Sequence, residues 1–575
     1  MPHSFTFGRV LMLGFAGLAA VLVLGVQVET SAGGGAPPPG HRRLLDQYCV
    51  TCHNERLKTA GLRLDQIDVS RPGDQPEVWE HVVRKLRRGS MPPANVPQPP
   101  EADRHALLTW LETELDAASA ARPNPGRTET LRRLNRTEYQ NAIRDLLALD
   151  IDASALLPPD ESGHGFDNVT VSDLPPTLLD RYISAAQKIS RLAIGRTESS
   201  LQSDVIRVAP DLTQEDQLPG LPIGTRGGVS MSYTFAEDGE YDLQVWLARN
   251  LEGAVAGLRE GRTHDLILLV DRAPVATFTI QRSPDGDDTV VDRDLKSRVA
   301  VSAGPHELAV TFVKEGSSLL ESARQPLQSR FNDRRHPRST PAIDQISVTG
   351  PYAATAGGNT PSRRRLFVCR PAGRDNEDRC ANTILTTLMR RAYRRPISKT
   401  DLEAAMAFYR EGRADGDFEA GIGKALSAVL VSPEFLFRVE TDPKKTPAGG
   451  TYRISDLELA SRLSFFLWSS IPDDELLDAA VRGALSGPAE LEKQTRRMLA
   501  DHRSFNLASN FAGQWLRLRN LEAVNPDARQ FPDFDDNLRQ AFRLETELFV
   551  DSVLRDDRSV LDLLRADYTF LNERL

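Results

Sequence analysis

Cys49-Val50-Thr51-Cys52-His53 gathers two thiols and an imidazole into five residues of a 575-residue chain that holds only four cysteines. At this spacing one helical turn sets both sulfurs against one edge of a porphyrin and delivers the next side chain to its iron. The chemistry this predicts is a single covalently bound haem c, with thioethers from Cys49 and Cys52 and with His53 as an axial ligand. A redox C-x-x-C of thioredoxin type and half of a zinc site are the competing readings. The first needs a strand ahead of the motif, where Arg42 to Tyr48 reads as a short helix. The second needs another Cys or His pair within a few tens of residues, and downstream stand His81 and His105.

The second axial ligand is sought after the next helix, where Val78, Trp79, Val82, Val83 and Leu86 recur at helical spacing and Gly89 ends the run. Ser90-Met91-Pro92-Pro93 follows. Met91 has no core role on such a turn, and the prolines hold the backbone around it extended. A thioether opposite an imidazole favours ferrous iron and raises the potential, which suits a carrier taking electrons from an oxidation. Met91 is therefore the expected sixth ligand, with His81 as its rival. Leu107, Leu108, Trp110, Leu111 and Leu115 mark a third helix, so residues 41–120 read as a complete all-α unit. Arg84, Lys85, Arg87 and Arg88 are either a docking face for an acidic redox partner or a solvated helix end that complements the dipole.

The first residues place the chain. Arg9 precedes the apolar run Val10 to Val26, and small residues follow at Thr30-Ser31-Ala32-Gly33. Residues 1–32 read as an export signal, with an uncleaved N-terminal membrane anchor as the competing reading, and 33–40 as a linker. Either way the body is expected outside the cytoplasm, in the periplasm or at the cell surface. Disulfides persist there, and Cys369 and Cys380, separated by a short polar stretch, are a disulfide candidate. A formal charge of −9 argues against a nucleic-acid partner.

The remaining periodicity divides the chain. A capped helix is expected within 131–149, with Asn135 and Glu138 forming a capping box, and a second near Leu178 to Ile194, giving a helical module at 128–200. Between them Asp160, Glu161, His164 and Asp167 are either a cation or acid/base site or a polar turn held by its own hydrogen bonds. Alternating apolar residues such as Tyr241, Leu243, Val245 and Leu247 predict an inserted antiparallel β-sandwich, jelly-roll-like, at 205–352. Helical modules follow at 363–440 and 450–575, the latter with helices expected at Leu457 to Trp468, Leu491 to Leu499, Phe505 to Leu518 and Leu538 to Leu554. Trp468 and Trp515 sit in apolar stripes and are assigned to packing. The fold class is thus multidomain and mainly α. Neither a catalytic triad, nor a flavin fingerprint, nor a glycine-rich phosphate loop is legible, so no catalytic residue is assigned and enzymatic activity is left open.

Read in order, Tyr48-Cys49-Val50-Thr51-Cys52-His53, Gly89-Ser90-Met91-Pro92-Pro93, Arg133-Leu134-Asn135-Arg136-Thr137-Glu138-Tyr139, Arg391-Ala392-Tyr393-Arg394-Arg395-Pro396, Ser432-Pro433-Glu434-Phe435-Leu436-Phe437-Arg438 and Ala566-Asp567-Tyr568-Thr569-Phe570-Leu571-Asn572 resemble the large exported proteins that begin with a planctomycete-type cytochrome c domain and continue through domains of unknown function. The resemblance implies haem c, a redox partner protein and, through a carbohydrate-binding-like β insert, polysaccharide as a further partner. It also implies that the chain runs on beyond the last motif, so 450–575 is expected to be a truncated module. The functional expectation is an exported cytochrome that transfers electrons in the oxidation of an extracytoplasmic substrate; the alternative is a carbohydrate-binding surface scaffold whose haem domain is accessory.

Overall fold

In the computed structural model the described residues are 39–123, 126, 131–161, 165–167, 174–195, 201–314, 340–354, 358–443, 451–527, 529–531, 533–572 and 574–575. The expected export signal at 1–32, most of the linker, and His164 lie outside them. The chain divides into two compact units, 1–127 and 128–575.

The first unit holds helices α1 (Pro39–Tyr48), α2 (Pro76–Arg87) and α3 (Glu101–Ala121). Helix α2 has Pro76 at its first position, where a missing N–H costs nothing, and turns Trp79, Val82, Val83 and Leu86 inward. These pack with Leu44 and Leu45 of α1, Leu64 and Val69 of the loop, and Leu107, Leu111 and Leu115 of α3. Among the described residues no helix is long and apolar enough to cross a membrane.

In the second unit β1 (Leu131–Arg133) precedes α4 (Arg136–Leu147), whose capping box joins Asn135 and Glu138. Residues 131–133 therefore depart from the helix expected across 131–149: they pair antiparallel with β10 (Phe437–Val439), a partner some 300 residues away that no local pattern reveals. Helices α5 (Ala153–Leu156) and α6 (Pro176–Ile194) lead to eight strands: β2 (Gln202–Arg207), β3 (Thr225–Phe235), β4 (Gly239–Leu247), β5 (His264–Val270), β6 (Ala273–Ile280), β7 (Lys296–Val301), β8 (Gly304–Val313) and β9 (Ile343–Tyr352). They form two antiparallel four-stranded sheets in the orders β2-β9-β4-β7 and β3-β8-β5-β6, the strand order of a jelly roll. The alternation read from the sequence puts Tyr241, Leu243, Val245 and Leu247 into the shared core with Leu266, Leu268, Leu308, Val310 and Phe312. Gly228 must be glycine at a bulge in β3, because a Cβ there would lie 1.9 Å from the Val310 carbonyl oxygen.

Helices α7 (Pro361–Leu366), α8 (Glu377–Ala392), α9 (Lys399–Asp415), α10 (Phe418–Val431) and α11 (Pro433–Leu436) return the chain to the helices that precede the jelly roll. Segments 128–200 and 363–440, read from sequence as separate modules, contribute to one apolar core, with Tyr139, Ile143 and Ile189 packed among Ile384, Leu388, Ile422 and Leu426. The jelly roll is thus an insertion between two halves of a helical domain. Cys369 and Cys380 are joined by a disulfide with Cα atoms 5.9 Å apart, tying the chain ahead of α8 to that helix. At the end of α8, Arg394 adopts a left-handed conformation and buries its guanidinium. It donates to the carbonyls of Ala392 at 2.8 Å, Glu434 at 2.7 Å, Phe435 at 3.2 Å and Phe437 at 2.7 Å, satisfying backbone groups that a short buried helix leaves open.

The last segment contains α12 (Asp456–Trp468), α13 (Asp474–Val481), α14 (Pro488–Ala500), α15 (Gly513–Trp515), α16 (Asp536–Arg555) and α17 (Asp562–Arg565). The single helix expected from Phe505 to Leu518 is broken: a 3-10 turn ends at Phe505, residues Leu507–Ala512 are π-helix, and Arg517 is left-handed. Asn506, Asn510 and Gln514 explain the break, since their amides bond to neighbouring backbone and side chains. Trp468 is fully buried and donates to the Met498 carbonyl, whereas Trp515, also assigned to packing, is 52% exposed.

Candidate functional site

Helix α1 hands the chain directly to the C-x-x-C-H motif. The amide of Cys49 donates to the Leu45 carbonyl, and the amides of Cys52 and His53 donate back to that of Cys49, so the motif continues the helix as one further turn. Asn54 closes it from the other side, its amide group donating to the carbonyls of Val50 at 2.7 Å and Thr51 at 3.2 Å. Cys49 is half-buried, Cys52 is exposed, and neither is in a disulfide. Burial, with the neighbouring Cys52 adding to it, pushes the Cys49 thiol up to about 11. A helix rather than a strand precedes the pair, so the context that the thioredoxin reading needs is missing. Among the described residues no group of three or more His, Cys, Asp or Glu side chains is placed to hold a metal ion, which leaves the zinc reading without its other half.

The chain after the motif shapes the imidazole of His53. Lys58, Ala60 and Gly61 are all left-handed, a tight reversal that turns the Thr59 carbonyl back toward the ring. His53 Nδ1 lies 3.0 Å from that oxygen. A carbonyl only accepts, so this contact fixes the tautomer with the proton on Nδ1 and leaves the Nε2 lone pair free for a metal. Nothing in the sequence pattern announces Thr59 in this role, because its contribution is a backbone atom aimed by its neighbours' φ angles.

Met91 stands beyond the C-terminus of α2. There the amide of Gly89 donates to the Leu86 carbonyl and that of Ser90 to the Lys85 carbonyl, with Gly89 left-handed, the two bonds of a Schellman ending. Gln98 then clamps the loop, its side-chain amide reaching the carbonyls of Pro92, Pro93 and Val96 at 3.3, 2.8 and 3.0 Å. Arg104 of α3 donates to the Leu86 carbonyl and ties the loop's base to the bundle. Met91 is half-buried and is not part of the apolar cluster that takes in Cys49 and Val50. His81, the rival, points from the exposed face of α2. Of the cations at the end of that helix, Arg87 pairs with Glu112 in solvent, which accords with a solvated helix end.

Two buried groups of this unit bear on what it holds. Trp79 is fully buried and His41 nearly so, yet among the described residues neither the indole N–H of Trp79 nor Nδ1 of His41 has a hydrogen-bond partner. An unmet buried donor is costly unless something accepts from it. The carboxylates of a porphyrin are acceptors of the required kind, so the donor set here (two thiols, an oriented imidazole, a thioether and an unmet indole N–H) fits a haem.

In the second unit, Asp160 accepts from Arg133 at 2.9 Å and from the Arg136 amide at 2.7 Å, and Asp167 accepts from Asn135 at 2.7 Å and pairs with Arg519. These carboxylates are committed to tying the loop to distant chain segments, rather than to hydrogen bonds within the turn itself. Asp285 and Asp287 of the jelly roll, by contrast, serve local turns.

Comparison with known families matches residues 49–95 to Planctomycete cytochrome C. Residues 132–195, 380–440 and 454–575 match three families each described as a protein of unknown function, DUF1587, DUF1595 and DUF1592. No curated protein and no solved structure matches the chain.

Proposed function

Since this chain belongs to the planctomycete-type cytochrome c multidomain proteins, we propose that it carries one haem c, attached through Cys49 and Cys52, with His53 and Met91 as axial ligands, and that it passes electrons to a partner protein during oxidation of a substrate outside the cytoplasm. The observation that carries this reading is the His53 Nδ1 contact to the Thr59 carbonyl, which leaves Nε2 as the only ring nitrogen free to bind iron. The haem would supply a one-electron couple. The protein's part is to orient and to shield. The half-buried Cys49 and the exposed Cys52 would hold the haem through its two thioethers. Gln98 holds the Met91 loop so that the thioether is presented without a large ordering cost on ligation. A haem carboxylate within reach would accept from the Trp79 indole N–H, a group otherwise orphaned in the core.

The N-terminal apolar run supports export to the periplasm or cell surface, with retention as a membrane anchor as its variant. Purified from a host that matures c-type cytochromes, the protein is expected to show sharp c-type absorption bands on reduction, to lose them on oxidation and to regain them over repeated cycles. A reduced sample without such bands removes the electron-transfer reading altogether.

A further inference from the structure

Two turns of the jelly roll bring together an aspartate, a serine and a histidine that no sequence spacing connects. Asp271 and Arg272, both left-handed, are the two-residue turn between β5 and β6, and Ser302 with Ala303 carries the chain from β7 of one sheet to β8 of the other. His306 lies near the start of β8. Its Nδ1 is 2.6 Å from Asp271 Oδ2, and its Nε2 is 3.2 Å from Ser302 Oγ. An ionised carboxylate only accepts, so the neutral imidazole keeps its proton on Nδ1 and turns the Nε2 lone pair to the serine hydroxyl. The hydroxyl thus faces a base, and the base is oriented by an acid, the polarity that activates a nucleophilic serine.

Each partner is held from outside the contact. The other carboxylate oxygen of Asp271 accepts from the Glu307 amide at 3.0 Å, and the Asp271 amide donates to the Glu307 carbonyl at 2.8 Å, which locks the turn to β8. Partial burial opposes ionisation of Asp271, but the bonds from His306 and the Glu307 amide outweigh it and hold the carboxyl below its usual range. The His306 ring packs edge-on against buried Phe235 with centroids 5.7 Å apart, and its side chain is 14% exposed. Bracing of the β5–β6 turn is complete without Ser302. That residue is exposed, and among the described residues His306 Nε2 is the hydrogen-bond partner of its hydroxyl. Ala303 and Gly304 follow it, so a short acyl group reaches the oxygen past small residues.

We propose that Ser302, His306 and Asp271 make the jelly roll a hydrolase of short-chain acyl esters, an activity independent of the haem reading. Ser302 Oγ attacks the ester carbonyl carbon while its proton passes to His306 Nε2; the bond to the alcohol oxygen breaks, and the alcohol leaves with that proton. Water then attacks the acyl-serine and gives a proton to Nε2; the serine oxygen leaves, takes that proton back, and the carboxylic acid is released. Ser302 and His306 are the catalytic residues. Asp271 is a positioning residue, which fixes the tautomer and balances the charge of the imidazolium. The Ala303 amide, next to the nucleophile, is already engaged by Asp238 at 2.6 Å, so the acceleration is that of the general base, about a hundredfold to ten-thousandfold.

The test applies a fluorophosphonate probe and 4-methylumbelliferyl acetate to the purified full chain. Covalent labelling and saturable hydrolysis are expected. Ser302→Ala is expected to abolish labelling, to lower kcat about a hundredfold or more, and to melt like the wild type, because the hydroxyl braces nothing. Asp271→Asn keeps a residue that tolerates the left-handed turn and an oxygen for the Glu307 amide, and is expected to lower kcat with KM unchanged. A wild-type chain that neither labels nor turns over the ester overturns the proposal. So does hydrolysis that survives Ser302→Ala: its loss in His306→Gln would mark an imidazole acting alone, and its persistence there another site. Full kcat in Asp271→Asn would remove the aspartate from the relay.

Discussion

Arg394→Met is expected to cost the second unit about 4 kcal/mol or more, because the four carbonyls that the guanidinium serves would be left buried and unpaired at roughly 1–3 kcal/mol each. Methionine keeps most of the stem's volume, so packing changes little and the loss reports the donors. Burial already disfavours the charge, holding the group down at about 10, yet even there it stays protonated at neutral pH and keeps its donors. The carbonyls belong to the ends of α8 and α11 and to β10, which pairs with β1, so the loss spreads through the seam that closes the split helical domain. Far-UV thermal melts of the full chain provide the measurement. Arg496→Ala, which removes an exposed pair with Glu492, is the comparison and is expected to stay within about 0.5 kcal/mol. An Arg394→Met variant that melts like the wild type would show that these carbonyls find other partners.

Met91→Ala is expected to lower the haem midpoint potential by on the order of a hundred millivolts, since a soft thioether stabilises ferrous iron and a water or other oxygen ligand does not. The effect should be specific to that side chain. The loop is held by Gln98 and by the Schellman ending of α2, neither of which uses the Met91 side chain, so the fold of the unit survives. His81→Ala, altering an exposed residue of the same helix, is expected to leave the potential unchanged. Potentiometric titration of the two variants decides between the ligands: a drop with His81→Ala and none with Met91→Ala would reverse the assignment.

What the sequence made legible follows from the range of the interactions involved. The α2 and α3 faces, the α4 capping box and the alternation of β4 are local patterns, and the structure places them as read. The pairing of Leu131–Arg133 with Phe437–Val439 and the single core shared by α4, α6, α8 and α10 arise from contacts across an inserted domain, which periodicity cannot register. The C-x-x-C-H motif was readable because its chemistry sits in consecutive side chains. The Thr59 carbonyl, the Gln98 clamp and the orphaned Trp79 N–H were not, since each depends on backbone direction or on a neighbour brought in by folding. Trp515 misled for a related reason. It keeps helical spacing with Phe511, but the π-helix and the amides of Asn510 and Gln514 rotate that face outward.

Attachment of one haem through Cys49 and Cys52 adds covalently to the mass of the polypeptide. Intact-mass measurement of the denatured protein tests it most directly, with Cys49→Ala, Cys52→Ala and the double variant alongside. The wild-type chain is expected to exceed the mass of its polypeptide by that of one haem, each single variant to retain little attached haem, and the double variant to retain none. A denatured wild-type chain at bare polypeptide mass after maturation, or a double variant still carrying haem, would contradict it.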